Sequence, residues 1–414
     1  VIETATQLLH RGASPLLLLL LACAPEPEPE PAPPPLVDAT IEAGYPILDG
    51  PCRAPISEPS HLVVTSTDFN TGAVGLVDVQ AHSVSPDLAL ASSDAVPIVD
   101  AGRVFVINRF GFDYIDELDP DDQLALIHEW PIQAATPANQ DAPANPHALA
   151  LDLAGHAWVT LHGAPELQRF AFPTLHGARV HAELAADLSS FSDDDGVPEL
   201  SRVIGCGEHL FVSAERIDRE QWIPAAQTLL IPFRPGAAPA LFEFDAERPG
   251  PDGIRLLGVG VGPWRLDPGD ASGTVIVLLN SGLERIDLAG GTSEWVVPEQ
   301  VFAELGYDRL QLSGFDFDST GRAWISAATP DFASFALLRV DLSGPAPALV
   351  TEVEGLESVT GALEIVGDQA WFADTTIGAS GLRVFDLSQS PVAELPESPL
   401  AVGLAPMNMA PLSL

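Results

Sequence analysis

Residues His147–Leu161 read HALALDLAGHAWVTL, and the fold follows from how often that line recurs. A short apolar strand leads to a tight turn at Gly155, and a second strand follows with an aromatic residue near its centre. Glycine suits the turn because hairpin turns place residues at positive φ, which a side chain resists. The same order returns at Val96–Asn108 (VPIVDAGRVFVIN), Leu200–Ser213 (LSRVIGCGEHLFVS) and Trp264–Leu279 (WRLDPGDASGTVIVLL). It returns again at Ser313–Ser326 (SGFDFDSTGRAWIS) and Gly361–Ala373 (GALEIVGDQAWFA).

The turn glycines, Gly102, Gly155, Gly207, Gly273, Gly321 and Gly367, stand 53, 52, 66, 48 and 46 residues apart. That interval is close to the length of a four-stranded propeller blade. A third strand ending near Asp follows each hairpin in most units, as at Tyr114–Asp119, Leu167–Phe172, Leu283–Asp287, Ala336–Asp341 and Gly381–Asp386. A fourth, outer strand follows at Leu124–Pro131 and Ala348–Val353. These are strands A to D of six units. A seventh is divided between the chain ends. His61–Thr67, Ala73–Asp78 and Val84–Ala89 supply B, C and D without an A, whereas Ala401–Ala410 repeats the Val-Gly-x-x-Pro approach to an A strand seen at Gly258–Asp267. The expected fold is all-β: a single seven-bladed β-propeller of four-stranded blades, closed by Met407–Leu412 pairing with His61–Thr67 in the first blade. Closure removes sheet edges that would otherwise template aggregation. Helix is expected only as single turns, at Val301–Leu305 and Ile217–Trp222.

Charge narrows the partners. The chain carries 18 basic residues, all Arg, against 58 acidic ones, for a net charge of −40. Such a surface repels nucleic acid and anionic lipid, so nucleic-acid binding is excluded as an expectation. Hydrophobic content of 46% is ample for a packed core.

The N-terminal residues read as an address rather than a fold. The six leucines Leu16–Leu21 are too few to span a bilayer but fit the apolar core of a signal peptide. Leu20-Leu21-Ala22-Cys23 resembles the bacterial lipobox, which implies cleavage before Cys23 and acylation of its sulfur. The alternating Pro and Glu of residues 25–31 cannot pack and form a semi-rigid polyproline II stalk. The expected organisation is a lipoprotein signal peptide at 1–22, a Pro/Glu-rich tether at 23–36, a pre-propeller segment at 37–56 and the propeller at 57–414. The resemblance implies export and lipid anchoring to the cell envelope; Ala24 after the cysteine, rather than Asp, implies the outer membrane in a cell that has one. Cys52 and Cys206 remain, and an oxidising compartment favours their pairing. Cys206 lies in an A–B turn, on the face opposite the loops that enter strand A. Disulfide geometry therefore requires residues 36–56 to cross that face.

The stretches Ser93–Phe110, Asn145–Leu167, Leu188–Arg219 and Gly381–Pro406 also resemble seven-bladed propellers of the YVTN or surface-layer type, among uncharacterised bacterial envelope lipoproteins. The resemblance implies a fold but no particular chemistry. In such propellers the functional face is built by loops entering strand A and leaving strand B. Mapped here, the entry ring holds Asp94, His147, Trp264 and Thr360. The exit ring holds Asn108, Arg109, His162, Glu215, Arg216, Asn280 and Asp374. From these, Asp94, Asn108, Arg109, His147, His162, Glu215, Arg216, Trp264 and Asp374 are the candidate ligand-binding residues, although a propeller also needs polar side chains simply to fill its channel. Asp193, Asp195 and Glu199 resemble a fragment of a calcium loop, a weak metal candidate because calcium takes six to eight oxygens. No cofactor is otherwise expected. No nucleophile elbow, phosphate loop or zinc-helix motif is present in the sequence, so no catalytic residue is named. The leading expectation is an envelope-anchored binding or scaffolding module for a small molecule or protein. The alternative is a propeller hydrolase or lyase using a top-face histidine, His147 or His162, with or without a divalent cation.

Overall fold

The computed structural model describes residues 32–414 except 54–57, 137–142, 174–176, 220, 222, 246, 248, 281, 308, 330, 332 and 345–346, with backbone only at 271–272 and 309–313. The signal segment, the lipidation candidate Cys23 and the Pro/Glu stalk up to residue 31 lie outside the described residues. From Pro33 onward the chain forms one compact unit.

That unit is all-β among the described residues apart from one helical turn at Glu299–Ala303 and a 3-10 turn at Ser189–Phe191. Its strands form antiparallel runs ordered A-B-C-D. One four-stranded sheet is Ala95–Asp100, Arg103–Asn108, Tyr114–Asp119 and Ala125–Pro131; another is Trp264–Asp267, Asp270–Leu279, Gly282–Asp287 and Thr292–Pro298. A third begins with the C-terminal strand Ala405–Leu412, followed by His61–Thr67, Gly72–Asp78 and Ser83–Ala91. A five-stranded sheet starts at Pro146–Leu151 and a six-stranded sheet at Leu200–Cys206. An eight-stranded sheet consists of two four-strand runs, 309–356 and 363–394, joined by the single parallel pair Gly314 and Leu363. The arrangement is propeller-like, with apolar clusters between neighbouring sheets.

The repeated turn has a specific chemistry. In Asp-Leu-Ala-Gly-His-Ala-Trp (Asp152–Trp158), the Asp152 carboxylate accepts from the His156 backbone N–H at 2.8 Å and from the Trp158 indole N–H at 3.0 Å. In Asp-Ser-Thr-Gly-Arg-Ala-Trp (Asp318–Trp324), Asp318 accepts from Arg322 N–H at 3.1 Å and from the Trp324 indole at 3.0 Å. Each aspartate thus closes the turn and satisfies an indole whose ring is fully buried. Gly155 and Gly321 in these turns have φ of +85° and +79°, where a Cβ would be strained.

Two sequence expectations need correction. Gly273 lies inside the strand Asp270–Leu279, and the turn of that hairpin falls at Pro268-Gly269. The segment at Ile217–Trp222 is not helical where described: Ile217–Asp218 pairs with Ile223–Pro224 as a small hairpin. The pre-propeller segment contributes strands of its own. Leu36–Asp38 adds in parallel to the outer strand Ala182–Asp187, and Thr40–Ala43 adds in parallel to Ala240–Glu243.

After those two strands the segment turns under the sheets. Tyr45 packs edge-on against Phe244 at 4.8 Å, Gly50 lies against Gly207, and Cys52 is disulfide-bonded to Cys206 across 154 residues of chain. Arg53 then donates to Asp100, 3.1 Å away in the turn-proximal end of another inner strand. Residues 36–53 are thus a strap across the lower face. Cross-linking so long a loop stabilises by about 2–5 kcal/mol.

The pairing of the chain ends is continuous, from His61 opposite Leu412 to Thr67 opposite Ala405, with one register shift between Thr65 and Ser66. It buries Met407, Met409, Ala410 and Leu412. Deleting residues 405–414 should expose the edge of His61–Thr67 and open the arrangement cooperatively. The expected result is aggregation or a melting temperature lowered by at least about 10 °C, consistent with losing several buried apolar side chains. A truncated chain that melts with the full-length one would show that these residues are a tail.

Candidate functional site

Loops that enter strand A and leave strand B meet at the end of the sheets opposite the strap. There the structure brings His147 and His162 together, their rings stacked with centroids 4.3 Å apart and planes at 24°. His147 is the second residue of the strand Pro146–Leu151, and His162 follows the strand Ala157–Leu161. The entry is held by Asp113, whose carboxylate accepts from the backbone N–H groups of Ala144 and Asn145 at 2.9 and 3.0 Å. The His162 N–H donates to the Asn145 carbonyl at 2.9 Å, tying one histidine loop to the other.

Three guanidinium groups act on this pair. Arg109 is fixed by Asp94, through Nη2 to Oδ1 at 2.7 Å and Nε to the backbone carbonyl at 3.2 Å. Arg219 donates to the His162 carbonyl at 2.5 Å and to Glu199 at 2.7 Å. Arg202 lies in the inner strand Leu200–Cys206 where the register shifts between Leu200 and Val203. Such an irregularity re-aims a side chain, and it is pinned by the Arg202 N–H donating to Ser213 Oγ at 2.8 Å. Arg202 has no carboxylate within 4 Å among the described residues; its hydrogen bond is from Nε to the Val261 carbonyl at 3.4 Å. Its charge is felt by Glu215.

The electrostatics follow from burial and these neighbours. Burial first, then His162, Arg109 and Arg202, hold His147 well below the ordinary histidine value. Burial, Arg219 and Arg109 bring His162 down to about 4. Both imidazoles are therefore neutral at pH 7. Burial and Arg109 lower Arg202 to about 10, opposed by Glu215, and burial raises Glu215. The result is a pair of neutral bases beside positive charge, an environment that attracts an anion.

Deeper in the channel, Arg265 bridges two inner strands. It donates to Asp316 at 2.6 Å and to Glu364 at 3.0 Å, and Asp316 also accepts from the Ile365 N–H at 3.0 Å. Burial raises Glu364 despite Arg265 beside it. These groups satisfy one another and cross-link the sheets.

Asp94, Arg109, His147, His162 and Glu215 from the sequence reading gather here. Others serve the scaffold. Asn108 is fully buried, accepting from the Ser92 N–H at 2.7 Å and donating to Asp116 at 3.1 Å. Asp374 accepts from the Thr376 N–H and faces Arg383. Arg216 donates to the Gln227 carbonyl at 3.3 Å and lines a separate outer cavity, and Trp264 packs against an apolar cluster between sheets. The proposed metal residues meet a different cation: Arg219 lies 2.7 Å from Glu199 and 3.7 Å from Asp195, while Asp193 accepts from the Asp195 N–H. No cluster of three or more His, Cys, Asp or Glu able to hold a metal occurs among the described residues. Arg202 and Arg265 were missed; their signal was an arginine inside an otherwise apolar inner strand.

The neutral imidazoles set an acid limit on stability. Folded His162 binds its proton less tightly than an unfolded histidine, so its stabilising contribution is full above pH 6.5 and is lost as pH falls through about 4. On the order of 3 kcal/mol is at stake. A His162→Gln variant should lose less stability than wild type between pH 6.5 and 4 in urea denaturation. Parallel pH profiles would show that His162 is not held neutral.

Comparison with known proteins places only the fold. No protein-family model matches the chain, and no curated protein matches it. Solved structures do. A candidate 6-phosphogluconolactonase of Bacteroides fragilis superposes with TM-score 0.58 at 12% identity, covering 87% of this chain and 98% of that one. The periplasmic gluconolactonase of Pseudomonas aeruginosa gives TM-score 0.53 at 15% identity, over 85% and 99% of the two chains. A functionally unknown protein of Desulfotomaculum acetoxidans gives 0.52 at 11%, over 86% and 99%. At these identities the likeness is one of fold alone, and that fold is the β-propeller.

Proposed function

We propose that this protein is a seven-bladed propeller hydrolase that binds a small anionic cyclic ester, in the first instance a sugar-acid lactone that carries a phosphate or a second carboxylate, at the channel mouth and opens it. The blade count takes the eight-stranded sheet as two blades meeting at their inner strands. The observation that carries the function is the neutral His147–His162 stack beside Arg109 and Arg202. The two lactonases among the fold neighbours supply the substrate class as a hypothesis.

The chemistry assigns each group a role. Arg202 and Arg109 bind the substrate's acidic group and the oxyanion that forms at the ester carbon. A bound anion offsets their charge, so His147 becomes more basic in the complex than in the free protein. His147 takes a proton from water as the water oxygen bonds to the carbonyl carbon. The tetrahedral intermediate then expels the ring oxygen, which receives that proton from the imidazolium, and the product is the open hydroxy acid. His162 and Arg219 fix the ring stack.

His147→Gln in the full-length chain should lower kcat for lactone opening by about 10²–10⁴-fold, the usual weight of a general base. Arg202→Met should weaken binding of the matching hydroxy acid by about 10–100-fold, the worth of a charge-assisted hydrogen bond. Binding of the acid without turnover of its lactone would favour the binding-module reading instead. Neither binding nor turnover across sugar-acid lactones would end both assignments.

We also propose export and lipid anchoring through Cys23, supported by the Leu20–Cys23 motif and by a paired Cys52–Cys206, which belongs to an oxidising compartment. A Cys23→Ser variant should leave the membrane fraction. Unchanged membrane partitioning would remove the anchor.

A further inference from the structure

Six of the sixteen large apolar side chains exposed among the described residues lie on loops of the face that carries the site. Phe69 is 62% exposed, Phe110 65%, Phe112 51%, Ile223 50%, Val359 46% and Ile377 98%. All six sit in segments that leave strand B or enter strand A. Three stand on loops linked to the histidine pair through one intermediate residue or hairpin. Phe110 and Phe112 follow Arg109, and the Phe110 N–H donates to Asn145 Oδ1 at 3.3 Å, on the loop that delivers His147. Ile223 belongs to the small hairpin paired through Ile217–Asp218, next to Arg219, whose guanidinium donates to the His162 carbonyl. These side chains form an apolar lip on the two loops that carry Arg109 and Arg219.

The lip is not a by-product of folding. Phe69 and Phe110 have φ of +67° and +54°, a region bulky side chains rarely adopt and one that clusters at functional sites. Burial cannot explain their choice, since both rings face water. Charge limits what could cover them. A second copy brings another −40 and is repelled, as is an anionic membrane. A ligand with a compact anionic head and an uncharged tail meets no such barrier, because its head is drawn to Arg109 and Arg202.

We infer that the substrate is amphiphilic: an anionic head seated by the arginines and histidines, with an alkyl or acyl tail lying across Phe110, Phe112 and Ile223. This rests on the anion-site reading above and extends it from a sugar acid to a tailed one. The test is calorimetry on the full-length chain with straight-chain carboxylates of about four to ten carbons, spanning the reach of a tail over such a lip. Affinity should rise about two- to fourfold per methylene, the upper figure corresponding to complete burial. Phe110→Asn with Phe112→Ser should flatten that rise and leave the four-carbon affinity unchanged; Asn tolerates the positive φ. Binding with no dependence on chain length, or a dependence that survives in the double variant, overturns the tail. Loss of a wild-type dimer in the double variant, seen by sedimentation, would make the lip a self-interface and overturn it equally. Failure of every carboxylate to bind would instead overturn the anion site itself.

Discussion

The pairing of His61–Thr67 with Ala405–Leu412 is the constraint on which the rest depends. A ring of sheets has no internal reason to close unless one sheet draws strands from both chain ends. Here the last strand also lies against Ala95–Asp100 and Gln369–Asp374, so it joins the sheets on either side. Asn408 donates across that junction to the Ala95 carbonyl at 3.1 Å, and the Thr65 hydroxyl donates to the same carbonyl at 3.0 Å. Inner strands held in this way keep a fixed distance from one another, and the channel between them acquires fixed walls.

Fixed walls explain how strong charges persist there. Arg265, Asp316 and Glu364 come from three different inner strands and satisfy one another only if those strands do not drift. Desolvation works against each group separately. Toward the mouth the pattern changes, because Arg202 and the two imidazoles have no carboxylate held against them within ion-pair distance among the described residues. Charge is compensated within the channel and left over at its mouth, which is where a ligand can supply the missing partner.

Much of the fold was legible because each unit repeats a local necessity. The Asp-x-x-Gly-x-Ala-Trp turns at Asp152 and Asp318 close by their own side chains, so the signal is contained in seven residues. The strap strands were not legible. Leu36–Asp38 and Thr40–Ala43 are very short and pair in parallel with strands about 150 and 200 residues away, so nothing local marks them. The same distinction divides the site. His147, His162 and Arg109 stand at strand ends, where periodicity predicts a loop. Arg202 and Arg265 stand inside strands, and their role depends on neighbours that only tertiary structure supplies. Asn108 shows the converse: its position matched the ring, but Ser92 and Asp116 drew its side chain into the core.

The strap also has a mechanical meaning. A pull on the chain ahead of Leu36 acts along two strands laid parallel to their partners, so their hydrogen bonds resist together in shear rather than opening one by one. Any force that passes them arrives at Cys52 and is carried covalently to Cys206. The load path then runs into the lower-face end of the strand Leu200–Cys206. Tension on the N-terminal side is thus shared between the strap strands and one inner strand.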